Sequence, residues 1–167
     1  VVFEVGGVID LAKRSISIDE PFLTVAGQTA PSPGITLIRG GIQIATHDGV
    51  IRHLRVRPGE AGAGKKSGWE VDAIATNAAY NVIVDHCSCT WATDENLSAS
   101  GPRFAGGDTV EQWRKSTSHR VTFSNCIVAD IGLVTSYAIL TNASDPDGVW
   151  GFEFLLTIPP QLILLQS

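Results

Sequence analysis

Methionine is missing from the 167 residues, charged residues make up only 17%, and no lysine or arginine follows Arg120. Cysteine is scarce, and no long apolar run interrupts the chain. Each shortage excludes something. A net charge of −5 removes nucleic acid as a partner, because phosphate binding needs a basic footprint. The apolar stretch Leu162 to Leu165 is far too short to cross a bilayer, so no membrane role is expected. Cys87, Cys89 and Cys126 lack a second Cys/His pair at zinc spacing. Cys87 and Cys89, two residues apart, are therefore expected to be small core hydrophobes. No window of a dozen residues sustains a helical apolar stripe, leaving Val110 to Lys115 as the weak helix candidate. The chain opens Val1-Val2-Phe3 without a charged-then-apolar leader, so any export signal is expected to have been removed or to lie outside this sequence.

What is present is strand-like. Hydrophobic content of 44% argues for a packed body rather than disorder, and 167 residues suffice for one real core. Short runs rich in Val, Ile and Thr lie between Gly, Pro, Asn and Asp punctuation: 3–11, 22–26, 35–38, 42–45, 50–56, 73–76, 82–86 and 121–128. Similar runs recur at irregular spacing, as the coils of a parallel β-solenoid with insertions would. A β-sandwich stays open as the alternative, although it needs hairpin turns and Asp48-Gly49 is the one good candidate. Two excursions leave the rhythm, Pro58 to Gly68 and Gly101 to His119, and loops of that length are often functional. The expected organisation is a partial solenoid over 1–132 followed by a divergent apolar tail over 133–167.

The chemistry is carried by carboxylates. Glu70 and Asp72 are spaced to share a face on a strand, and Asp94, Glu95 and Ser98 follow near the end of a later run. Acids converging from successive parallel strands can hold Ca²⁺, which takes six to eight oxygens. The alternative is ordinary exposed acids at strand ends. Asp85-His86, inside an apolar run, reads as a mutually satisfied structural pair.

The segments Phe3 to Leu11, Val25 to Thr36, Val50 to Gly59, Asp72-Ala-Ile, Asn81 to Ser88 and Thr93 to Ser98 resemble, in order, the pectate lyase family of polysaccharide lyases. The resemblance covers roughly residues 1 to 131. It implies an all-β, right-handed parallel β-helix, here partial, and calcium-dependent β-elimination in polygalacturonate. It implies Ca²⁺ ligands at Asp72 and Asp94, with Glu70 and Glu95 as helpers, and a structural role for Asp85 and His86. Ser98 departs from the pattern, standing where the family carries a further Asp. The family's base is an Arg from a later coil, which has no counterpart after Arg120, so the catalytic residue is unassigned. Arg103, Arg114 and Lys115 in the second excursion are the candidate contacts to uronate. A secreted monomer acting on acidic polysaccharide is the expectation; a non-catalytic β-solenoid that binds such a polymer, or a plain scaffold, is the alternative.

Overall fold

The computed structural model describes residues 1–63, 67–101, 107–129, 139–141 and 153–155. Among them the chain makes three parallel sheets of five strands each, and successive strands fall in the three sheets in turn. The first sheet holds β1 (Gly7–Asp10), β4 (Ile35–Ile38), β7 (Leu54–Arg57), β10 (Ser88–Thr90) and β13 (Ile127–Ala129). The second holds β2 (Ile16–Ile18), β5 (Ile42–Ile44), β8 (Ile74–Asn77), β11 (Leu97–Ser100) and β14 (Ile139–Thr141). The third holds β3 (Thr24–Ala26), β6 (His47–Arg52), β9 (Tyr80–Asp85), β12 (His119–Ser124) and β15 (Glu153–Leu155). This is a parallel β-helix: one strand per sheet per coil, each coil stacked on the last.

Its core follows from strand alternation. Side chains at every second position point inward, and the parallel register places like above like. Val25, Ile51, Val84 and Phe123 stack in the third sheet, and Ile42, Ile74 and Leu97 in the second. Leu37, Val56 and Cys89 form a third column from the first sheet. All of these are buried, and each aliphatic member contributes roughly 1.5–3 kcal/mol by leaving water. Cys87 and Cys89 are buried free thiols within this core, as expected for small hydrophobes.

The corners explain where the sequence misleads. The runs 50–56 and 121–128 look continuous, yet each splits in two. His53 (φ 57°) separates β6 from β7, and Asn125 (φ 52°) lies between β12 and β13. His86 (φ 52°) marks the corresponding corner after β9. One left-handed residue bends the chain from the third sheet into the first, and apolar patterning carries no trace of it. The His53 and His86 rings stack at 4.8 Å, 1° from parallel. Asp48-Gly49 is not a hairpin: both residues lie inside β6, with Asp48 at φ 54°. β2, β10 and β11 are not among the runs read from the sequence; β10 (SCT) and β11 (LSAS) are made largely of Ser, Cys, Thr and Ala, which leave no strong apolar signal. The weak helix candidate is real, as α1 (Val110–Ser116).

Asp85 knits one corner together. It accepts from Arg52 Nε (3.0 Å), Ser124 Oγ (2.8 Å) and Asn125 Nδ2 (3.0 Å), and His86 Nδ1 lies 2.9 Å away. Burial would raise its pKa, but the hydrogen bonds from Asn125, His86 and Ser124 outweigh burial and hold the carboxyl well below the usual range. The pair is structural, as the sequence indicates. On the outer surface of the third sheet, His47, Tyr80 and His119 stack at 4.6 and 5.2 Å, one ring per coil.

Candidate metal centre

The acids gather on the lead-in segments of β8 and β11, neighbouring strands of the second sheet. Register pairs Ile74 with Leu97 and Ala75 with Ser98. The segments before them are sewn together by backbone bonds. Ala73 N–H donates to the Glu95 carbonyl (3.0 Å), Thr93 N–H to the Val71 carbonyl (3.2 Å), and Val71 N–H to Thr93 Oγ1 (3.0 Å). Residues 22 or 23 apart in sequence are thereby brought side by side.

The result is a group of three. Carboxylate oxygens of Asp72, Asp94 and Glu95 lie within 4.8 Å of one another. Asp72 sits at the centre of the hydrogen bonding: Glu95 N–H donates to its Oδ1 (3.0 Å) and Ser98 Oγ–H to its Oδ2. Gly41 on the preceding coil makes room for this segment, since a Cβ there would overlap the Asp72 carbonyl oxygen. Glu70 lines the same open cleft of about 250 Å³ with Asp72, Asp94, Gln43 and Ser15, but stands outside the group of three. Glu70 and Asp72 precede β8 rather than lying on a strand.

Electrostatics make the group costly without a counter-charge. Two unit charges 4.8 Å apart repel by roughly 3 kcal/mol at an effective dielectric of ~20. Glu95 carries the penalty: its burial, then its hydrogen bond to and charge repulsion from Asp72, then the Asp94 charge, push its pKa up to about 8. A proton or a cation relieves that strain. The donor set is all oxygen, which suits a hard cation such as Ca²⁺, and each Asp72 oxygen retains a lone pair beyond its hydrogen bond.

Lys115 on α1 pairs with Glu111 at 3.0 Å, both exposed. Arg114 belongs to α1, but its side chain, like all of Arg103, lies outside the described residues. No Lys or Arg is among the described residues that line the acidic cleft. Ser15 and Gln43 are cleft residues that sequence reasoning missed. The signal for Gln43 is the ladder Ser17, Gln43, Ala75 and Ser98 along the second sheet, which shows only once register is known.

Fold and cleft together define a parallel β-helix with a carboxylate-lined groove on one sheet. Comparison with known proteins gives its relatives. The chain is 35% identical over 136 residues to "Probable pectate lyase C" of Aspergillus terreus, covering 81% of this chain and 27% of that protein. It is 37% identical over 102 residues to the protein of the same name from Aspergillus flavus, and 39% over 102 residues to that from Emericella nidulans, each match covering 60% of this chain and 23% of the relative. Over its matched residues the chain is similar to proteins of the pectate lyase family, consistent with a fragment of such a protein. It spans about a quarter of the length of the curated relatives it matches. No family model matches the chain, and no solved structure matches it. No helix among the described residues is long and apolar enough to cross a membrane.

Proposed function

We propose that the chain carries the calcium-binding part of a pectate lyase site, acting outside the cell on polygalacturonate by β-elimination. The observation that supports this most is the convergence of Asp72, Asp94 and Glu95 within 4.8 Å on two adjacent coils of a β-helix. Asp72 and Asp94 are the ligands, Glu95 is a third that must lose its proton to take part, and Glu70 extends the acidic wall of the cleft. An acidic cleft repels an acidic polymer, so a bound cation is what would make the two compatible. Calcium held there would neutralise the uronate carboxylate and acidify the neighbouring C5 proton.

The chain's own residues do the rest of what is assigned to this site. Ser98 Oγ and the Glu95 N–H hold Asp72 in one orientation, and Gly41 lets the lead-in segment approach the preceding coil. Gln43 and Ser15 offer hydroxyl and amide partners along the floor of the cleft. A base is not among these residues. That favours a second reading, in which the same cleft binds acidic polysaccharide without cleaving it.

An absorbance assay for the unsaturated uronide product, on polygalacturonate with calcium or with chelator, tests the proposal. Product that requires calcium and is lost in Asp72→Ala is the outcome the lyase reading expects. Calcium-dependent binding of the polymer without product selects the second reading, and chelator-insensitive product contradicts the metal site.

A further inference from the structure

Trp91 is a large aromatic side chain left open to solvent, at 55% exposure, in the corner that follows β10. The other large apolar residues that are exposed fall mainly on the first coil, at the end of the solenoid: Val1, Val2, Val5, Val8, Ile9 and Ile16. Trp91 is different, because it lies in the fourth coil, three residues before Asp94. Three residues of chain span at most about 10 Å, so indole and carboxylates lie within reach of one oligosaccharide.

The indole is also held in place. The Arg57 guanidinium sits over its ring, 6.0 Å from the centroid. Arg57 is itself fixed, donating to Ser88 Oγ (2.7 Å) and to the Val56 carbonyl (2.9 Å). The Trp91 backbone lies in the left-handed region (φ 60°), and its carbonyl accepts from Gly59 N–H (2.9 Å). Gly59 in turn accepts from Trp69 Nε1 (2.8 Å). Trp69 immediately precedes the cleft residue Glu70. One glycine therefore ties together the two tryptophans that enter the two acid-bearing segments. A bulky side chain kept at positive φ and braced on one face has little conformational freedom left to lose on binding.

We infer that Trp91 is a sugar-stacking platform that seats one pyranose ring of the polymer beside the acidic cleft, on the indole face that Arg57 leaves open. Its apolar face suits the C–H face of a pyranose, and the neighbouring guanidinium favours a ring that carries a carboxylate. The inference rests on the polysaccharide reading above but not on the metal. Stacking needs no calcium, so uronate oligomers and their fully methyl-esterified, neutral counterparts should both use it.

The test is calorimetric titration of both oligomers into the wild type, Trp91→Ala, Trp91→Phe and Asp72→Ala, with separate titrations of calcium. The expected result is that Trp91→Ala weakens both oligomers by roughly tenfold or more, that Trp91→Phe recovers most of the loss, and that calcium affinity is unchanged. Trp91→Ala binding both oligomers as the wild type does overturns the platform, as does a wild type that binds neither. Loss of calcium binding in Asp72→Ala, with oligomer binding untouched by the Trp91 variants, keeps the metal reading and removes this one. Calcium binding undiminished in Asp72→Ala, alongside a tenfold loss of oligomer affinity in Trp91→Ala, does the reverse.

Discussion

On the proposed calcium reading, Ser98 and Glu95 set how strongly the cleft would hold a cation. Ser98 donates to Asp72 from the outer face of β11, where a carboxylate would instead add a ligand. Ser98→Asp is expected to tighten calcium about tenfold, through a larger ligand charge, and to lower the melting temperature in chelator. Titration calorimetry and thermal melts read both effects. Glu95 has a folded pKa of about 8, above its ordinary 4.5, so the folded chain binds the extra proton between those values. The stability that Glu95 contributes in the metal-free chain is therefore fully present below about 4.5 and is lost as pH rises through about 8. Calcium competes with that proton, so its affinity should climb over the same window and level off above it. Glu95→Gln should flatten both profiles while weakening calcium about tenfold. Affinities measured at stepped pH, with and without the substitution, check the sign.

At the level of the element, the corner built on Asp85 holds three coils in line. Its depressed pKa works in the opposite sense: the stabilisation is present above the ordinary carboxyl range and fades as pH falls through the lower folded value. Asp85→Ala should cost about 2–4 kcal/mol, because Arg52, Ser124 and Asn125 lose a shared buried acceptor. Urea unfolding at neutral pH measures it. These corners also mark the limit of what the sequence discloses. The strands were legible where β-branched residues run together, as at Val50-Ile51 in β6 and Val82-Ile83-Val84 in β9. Their ends were not, because His53 and His86 turn the chain in a conformation that signals itself when the residue is Gly or Asn. Asn125, at the equivalent corner, is the residue type that does signal it. For the site, Glu70, Asp72, Asp94 and Glu95 were visible as acids among apolar runs. The hydrogen bond from Ser98 to Asp72 was not, since it depends on coil length, and coil length is irregular: Ile35 pairs with Leu54, but Ser88 with Ile127.

For the molecule as a whole, stacking makes each coil the support of the next, so a defect in the middle is felt on both sides. Ile74 is fully buried between Ile42 and Leu97, and it follows Asp72 by two residues. Ile74→Ala should cost about 2–5 kcal/mol and weaken calcium at the same time, because the cavity loosens the strand that positions the acids. A control deletion away from the site, Ile51→Ala, should cost as much stability with less effect on calcium. The function assigned to this β-helix rests on one physical claim: that coils three and four present their acids to a cation. Calorimetric titration of calcium into the wild type and Asp72→Ala examines that claim most directly. A single site with Kd on the order of 10⁻⁴ to 10⁻³ M is expected in the wild type, and none in the variant. Absence of binding at millimolar calcium, or equal binding by both proteins, contradicts it.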